Sequence, residues 1–245
     1  MLLNQGLAYK AQAEVNWDPV DQTVLANEQV DANGLSWRSG AKVERKRLNQ
    51  WFVKTTWMAR ELVEDLDKLE KWPKEVKEMQ KGWIGLKKGV GVLFLVEKEG
   101  NYVGEVEVFT TRIETLLGVS FIGLGKGHKL AGKREEEGRV EGLEAIHPLT
   151  GEKLPVFVCE YVLNEFGTGA VMGVPAHDDR DKKFAEKFGV KSVEVLEGEN
   201  LLKNSGKFTG LGWKEGGEEM IKELGGKARR MEVSLMRDWL VSRQR

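Results

Sequence analysis

The sequence predicts a mixed α/β chain with a strand-rich middle and helices before and after it. Three stretches carry this prediction. Val90 to Glu97 and Tyr102 to Thr110 are rich in valine and flank Glu99-Gly100-Asn101, the composition of a hairpin. Thr168 to Val174 is a small, apolar run stopped by Pro175, which suits a buried strand. Asp179 to Phe188 follows with Phe184, Ala185 and Phe188 at helical spacing, behind carboxylates that suit a helix start.

The remaining elements follow in order. Met1 to Arg47 is polar and turn-rich, with short extended pieces such as Ala13 to Trp17. From Leu48 to Leu69 the spacing of Trp51, Phe52, Met58, Leu62, Leu66 and Leu69 predicts a helix with one broad apolar face. Pro73 suits the start of a second, short helix over Lys74 to Lys81. Thr115 to Leu124 is apolar and of either type. Gly127 to Gly138 is rich in lysine and glutamate and reads as a surface helix or loop. Leu154 to Val162 reads as a strand, and Val193 to Leu196 as another. Glu215 to Leu224 predicts a helix stopped by Gly225-Gly226, where glycine takes a left-handed cap. The tail from Glu232 is strand-like and then basic.

Composition narrows the function classes. With 245 residues the chain has room for one large domain or two small ones, and can bury a core without staples. Its one cysteine, Cys159, excludes an intrachain disulfide and a cysteine-rich zinc site. Cys159 lies in the apolar run Val156 to Val162 and reads as a buried small hydrophobe. Lys and Arg number 38 against 39 Asp and Glu, a formal charge of −1, so any RNA contact must use local patches. Candidates are Lys42 to Arg47, Lys87-Lys88, Lys182-Lys183, Lys203 with Lys207, and Arg229-Arg230; each alone reads as a solvated face. No apolar run is long enough to span a membrane, and the first residues lack a secretory signal. No membrane partner is expected.

Two runs carry the chemistry. Thr110-Thr111-Arg112-Ile113-Glu114-Thr115 gathers three hydroxyls at a strand end. Read alone, these are strand threonines and a helix cap. Asp178, Asp179 and Asp181 open a helix after Pro175-Ala176-His177. Capping and dipole compensation account for them equally well as a pocket that holds an ammonium group. Asp178 and Asp181 are three apart and share a helix face. A metal phosphohydrolase built on His177-Asp178 would want further ligands, and the other histidines, His128 and His147, lie in unrelated surroundings. No Ser-His-Asp set is visible.

Read together, several runs are more specific. The threonine run and Gly167-Thr168-Gly169-Ala170-Val171-Met172-Gly173-Val174-Pro175-Ala176-His177-Asp178-Asp179-Arg180-Asp181 resemble the two signatures of the editing pocket in class I aminoacyl-tRNA synthetases. Asn16 to Val30, Gln50-Trp51-Phe52, Met79 to Gly85 and Arg237 to Arg245 are similar to leucyl-tRNA synthetase. Trp37-Arg38-Ser39-Gly40 resembles the small knuckle that carries zinc ligands in many relatives, here without cysteines, a form similar to fungal mitochondrial leucyl enzymes. The resemblance spans nearly the whole chain and lacks the adenylate-site signatures. It identifies the connective insertion that carries editing.

This resemblance implies a class I editing-domain fold, a twisted β-barrel core with surrounding helices plus linker elements. It implies residues 1–82 as a linker from the catalytic domain, 83–231 as the editing domain, and 232–245 as the return segment. It implies hydrolysis of the aminoacyl ester of mischarged tRNA(Leu), with the tRNA(Leu) 3′ end and the remainder of leucyl-tRNA synthetase as partners. Asp181 would anchor the substrate's α-ammonium, with Asp178 assisting. Thr110 and Thr111 would bind substrate and the attacking water. Thr115 would be the steric gate against leucine, and Val174 would shape the side-chain pocket. Arg112, Phe166, Gly167 and Met172 would contact the terminal adenosine or dock the RNA end. No metal and no cofactor are expected. The family's first run usually has Pro-Asp where this chain has Ile113-Glu114, a departure that bears on the aim of Thr115. A different class is a non-catalytic RNA-binding module that supports tRNA docking or group I intron splicing. The mitochondrial matrix is the expected compartment, with the cytoplasm second.

Overall fold

The computed structural model describes residues 1–132, 134, 136–162, 168–198 and 200–243. It divides into two compact units: Met1–Gly85 joined by the segment from Leu235 onward, and Leu86–Ser234. The chain begins with strands β1 (Ala8–Asp18), β2 (Thr23–Leu25) and β3 (Glu44–Val53), then helices α1 (Ala59–Lys68) and α2 (Lys74–Ile84). Next come β4 (Lys87–Lys98), β5 (Asn101–Thr110), β6 (Phe121–Leu124), β7 (Gly138–Ile146), β8 (Lys153–Val158) and β9 (Ala170–Gly173). Helix α3 (Asp179–Phe188), the short pair β10 (Leu196–Glu197) and β11 (Leu201–Leu202), α4 (Trp213–Leu224), β12 (Ala228–Val233) and β13 (Trp239–Leu240) complete the order.

In the first unit the sheet order is β13-β3-β1-β2. The helix expected from Leu48 does not form there. Residues 44–53 are strand, and the helix begins only at Ala59 after a 3-10 turn at Thr55–Met58. The reason is pairing. β1 and β3 zip from Ala8↔Val53 to Trp17↔Glu44, and Tyr9 stacks on its cross-strand partner Phe52 with ring centroids 5.3 Å apart. Along β3 exposure alternates, with Arg45, Arg47, Asn49 and Trp51 outward, so a period of two overrides the helical spacing. The second helix forms as expected behind Pro73 and runs on to Ile84, where Gly85 takes the left-handed cap at φ +57°.

Two aspartates organise this unit. Asp238 accepts from Tyr9 Oη at 2.7 Å and from the amide and hydroxyl of Thr56 at 3.1 and 2.7 Å, pinning the returning segment. Asp18, fully buried, accepts from the amides of Val20 and Asp21 and from Ser39 Oγ at 2.6 Å. Bonds from Ser36 and Ser39 hold its carboxyl down at about 2. The knuckle thus closes on a carboxylate and hydroxyls, and among the described residues no cluster of metal-ligating side chains forms.

In the second unit a seven-stranded sheet runs β12-β4-β7-β8-β6-β9, with β5 on the other edge of β4. β6 and β8 are parallel, and every other pairing is antiparallel. The expected barrel is not closed by a ladder. Among the described residues β5 packs beside β9, but no strand pairs with the free edge of β9. β9 is only four residues long, and the Pro175 that follows has no N–H to extend a ladder. One face of the sheet holds a core of Val92, Phe94, Val108, Ile122, Val156 and Met172 with their neighbours. A second cluster, Phe121, Phe157 and Phe184 with Phe188, docks α3.

The β4–β5 hairpin forms as read, with Glu99 and Gly100 at φ +52° and +83° in its turn. β7 carried no expectation. It is interrupted by a register shift between Arg139 and Glu144, so its pattern is not a clean alternation. The strand expected at Val193 reduces to Leu196–Glu197. Gly225 stops α4 with a positive φ but at ψ −126°, outside the left-handed helical region. Among the described residues no helix is long and apolar enough to cross a membrane.

Candidate active site

The ends of β5 and β9 deliver the two motif runs to one place. β5 finishes at Thr110, and a 3-10 helix, Ile113–Gly118, follows. β6 then returns antiparallel to β9, with Phe121 opposite Gly173. A methyl group at Gly173 would stand 2.5 Å from Phe121 Cδ1 and closer still to the next two ring atoms, so only glycine admits this approach. Beyond Pro175 the chain turns through bonds from the His177 and Asp178 amides to the Val174 carbonyl, and α3 begins. Arg112 links the two runs: its Nη1 reaches the His177 carbonyl at 3.5 Å while its Nε pairs with Glu114 at 3.1 Å.

The hydroxyls are unequal. Thr110 is buried, and its Oγ1 accepts from the Arg112 amide at 3.0 Å, which leaves its O–H to donate. Thr111 is exposed. Thr115 is 2 % exposed and donates to the Arg112 carbonyl at 2.8 Å, so its methyl is held in one direction. Arg112 itself is exposed.

The two aspartates differ in surroundings. Asp178 is the N-cap of α3, accepting from the Arg180 and Asp181 amides at 2.8 and 3.2 Å and from the Arg180 guanidinium. Partial burial works against its charge, but Arg180 and those amides outweigh it and hold the carboxyl below its ordinary range. Asp181 is 6 % exposed. It accepts from Tyr161 Oη at 2.7 Å on Oδ1 and from the Val174 amide at 2.8 Å on Oδ2. Burial pushes its carboxyl up, against the pull of those two donors. Val174 and Met172 are both buried. The Met172 side chain belongs to the core, so any contact from it would be through the backbone. Phe166 and Gly167 lie outside the described residues.

An open cavity of about 450 Å³ adjoins this turn, lined by Arg112, Ala176, His177, Glu194, Leu196 and Lys203 among others. His177 Nε2 accepts from the Val195 amide at 3.1 Å, and burial, helped by Arg112, lowers its pKa. Lys203 pairs with Glu194 at 2.6 Å. Among the described residues, Arg112 is the one predicted pocket residue that lines this cavity, and Lys203 of the predicted basic patches joins it. In the sequence His177 stands in the second run without a role of its own beyond a doubtful metal ligand, Lys203 reads only as part of a basic patch, and Glu194 and Tyr161 carry no signal.

Several basic groups that suggested RNA patches are paired. Arg229 forks onto Glu107 with 2.6 and 2.7 Å bonds, Arg230 binds Glu218, and Lys207 pairs with Glu223. The two runs thus carry a buried carboxylate, Asp181, and the buried hydroxyls of Thr110 and Thr115 with fixed hydrogen bonds, and among the described residues no strand pairs with the outer edge of β9. That equipment suits orienting an activated ester for attack by water, without a protein nucleophile.

Comparison with known proteins adds the family. Residues 81–138 and 131–225 match the family model described as leucyl-tRNA synthetase, editing domain. Over its whole length the chain is 42 % identical to the leucine--tRNA ligases of Aliivibrio fischeri strain ES114 and Vibrio atlanticus, and 40 % identical to that of Roseiflexus castenholzii. It spans about a third of each, 33 %, 33 % and 34 %. A solved ternary complex of Agrobacterium radiobacter K84 agnB2 LeuRS, tRNA and LeuAMS matches 98 % of the chain and 32 % of that protein, with a TM-score of 0.75 and 35 % identity.

Proposed function

The chain belongs to the leucyl-tRNA synthetase editing-domain family, and we propose that it hydrolyses the aminoacyl ester of mischarged tRNA(Leu) as the post-transfer editing part of that enzyme. The observation that carries this reading is the meeting of the two motif runs, Thr110–Thr115 and Val174–Asp181, tied by Arg112.

The physical need is plain. An apolar synthetic pocket separates side chains that differ by a methylene by only about 1–3 kcal/mol, so a second, hydrolytic sieve is required for high fidelity. The ester is already activated, and holding it beside a water supplies much of the rate. In this reading Asp181 takes the α-ammonium in a partly dry site, where a charge-assisted bond orients strongly. Thr110 donates to the ester or the attacking water, and Thr111 assists from the rim. The fixed methyl of Thr115 blocks leucine's branch, and Val174 shapes the pocket. The edge of β9 with which no strand pairs among the described residues offers backbone groups to the terminal adenosine, with Met172 contributing main chain only. Arg112, paired but exposed, docks the RNA end. Asp178 acts chiefly by building the helix start that places Asp181. The first unit serves as the connection to the rest of the synthetase, and its Asp238-pinned strand as the return. The relatives named above are bacterial, so they lend nothing to a mitochondrial compartment.

The test is to mix the chain with norvalyl-, isoleucyl- and leucyl-tRNA(Leu) and follow amino-acid release. Selective loss of the first two, with leucyl-tRNA(Leu) cleaved once Thr115 becomes alanine, is the expected result. Salt-sensitive tRNA binding with no hydrolysis of any ester would favour the RNA-binding module instead.

A further inference from the structure

We propose that Tyr161 is a positioning residue of this site: its phenol aims the Asp181 carboxylate at the substrate's ammonium group. The inference rests on the editing reading above and adds a residue to it.

A carboxylate as buried as that of Asp181 needs hydrogen-bond donors to stay charged. Among the described residues two are supplied, each from a different part of the chain. The Val174 amide, at the end of β9, binds Oδ2. The Tyr161 phenol, in the turn that follows β8, binds Oδ1. One donor on each oxygen fixes the carboxylate plane, because rotation would break one bond or both. Each oxygen still keeps lone-pair capacity for an incoming ammonium.

Tyr161 is itself held. Its ring meets Phe184 edge-on at 5.9 Å, and the Arg180 guanidinium lies 5.8 Å from its ring centre. The Phe184 contact ties the ring to α3, the helix that carries Asp181. The phenol is therefore set before substrate arrives, which is what an orienting group requires.

The charged form of Asp181 depends on this bond. Burial dominates and disfavours the charge, while the Val174 amide and the Tyr161 phenol favour it. The other groups facing the pair are Asp178, which disfavours the charge, Arg180, which favours it, and the Cys159 thiol, which faces the phenol. Burial pushes that thiol up to about 12, so it stays neutral. Burial and Asp181 together push the phenol far upward, so it too stays protonated and able to donate.

Tyr161→Phe removes the donor and keeps the ring packing. Without the phenol, Asp181 protonates more readily, and its pKa rises by about one unit, the size of one hydrogen bond to a charged group. Carboxyl-carbon NMR titration of the free chain, wild type against Tyr161→Phe, reads that shift without any substrate. The acid limb of norvalyl-tRNA(Leu) hydrolysis is expected to move up by the same amount, with the high-pH plateau less affected. A purely structural tyrosine would change the denaturation midpoint and leave both titrations in place. An Asp181 titration unmoved by Tyr161→Phe in the folded chain overturns the inference. Asp181→Asn provides the control on the functional reading. If it hydrolyses like wild type, the ammonium-anchor role fails, and the inference with it. If it is inactive while the Tyr161→Phe limb stays put, the inference alone fails.

Discussion

Replacing Gly173 by alanine probes the contact on which the site is built. Gly173 faces Phe121 across the β6–β9 ladder, and Phe121 is fully buried. Carbon atoms pack comfortably at about 3.5–4.0 Å. The new methyl would meet Phe121 Cδ1 at 2.5 Å and two further ring atoms closer still, so the ring or the strand must yield by more than about 1 Å. The ring has little room. It stacks on Phe184 at 5.0 Å and meets Phe157 edge-on at 5.7 Å. Overpacking of this kind costs about 1–3 kcal/mol. The φ of Gly173 is one that alanine accepts, so its less flexible unfolded chain offsets about 0.4–1 kcal/mol. The midpoints of those ranges leave a net loss of about 1.3 kcal/mol, a factor of roughly 9 in the opening equilibrium. Hydrogen exchange of the amides in β6 and β9 measures it directly. Shrinking the partner with Phe121→Leu in the Gly173→Ala background should recover part of the loss, giving a coupling above about 0.5 kcal/mol in the double-mutant cycle. Exchange in Gly173→Ala no faster than in wild type would refute the reasoning. Because β9 leads into the Val174 amide that holds Asp181, ester hydrolysis is expected to fall as well.

Two further outcomes follow from the same geometry. Asp178→Ala should cost about 0.5–2 kcal/mol by urea titration, while Asp178→Asn, still able to cap α3, should cost distinctly less; equal losses would refute the capping role. His147 is buried, accepts from the Leu149 and Thr150 amides on Nδ1, and faces the Leu116 carbonyl at 3.0 Å on Nε2. Burial lowers its pKa from 6.5, against the pull of Leu116 and Glu152. A base depressed on folding stabilises the chain fully above 6.5 and loses that contribution as pH falls toward its lower folded value. Stability should therefore drop more between pH 7 and pH 5 in wild type than in His147→Asn, and identical pH slopes would remove His147 from the account.

Legibility in the sequence followed the range of the interactions. The β4–β5 hairpin, α2 and α3 are set by residues within a few positions, and Glu99-Gly100, Pro73 and Asp178 announce them. The Leu48 stretch misled because Trp51 and Phe52 suit a helix face as well as a strand, and the partner that decides, β1, lies some forty residues earlier. The site divides the same way. Thr110, Arg112, Thr115, Asp178 and Asp181 stand in two contiguous runs, so the sequence singles them out as candidates. Tyr161 lies 20 residues from Asp181, and Glu194 and Lys203, which flank the β10–β11 pair, meet through their ion pair. Nothing local distinguishes Tyr161 or Glu194 from other polar residues, and Lys203 stands out only as part of one of several basic patches. Asp178 shows the opposite difficulty: a carboxylate at a helix start reads identically whether it caps or catalyses, and its hydrogen bonds show the cap alone.

The pairing of β4 with β12 has one more consequence. Lys87, just inside the start of the second unit, stands opposite Val233, just before its end. On the other side of the cut, the Leu235 amide bonds to the Ile84 carbonyl at 3.0 Å. Both borders are therefore already closed like the neck of a hairpin. To the scaffold that hosts it, a module of nearly 150 residues imposes about the loop-closure entropy of a tight turn. Such a module is portable: it can lengthen, shrink or be exchanged between hosts while the register on either side of the neck stays as it was.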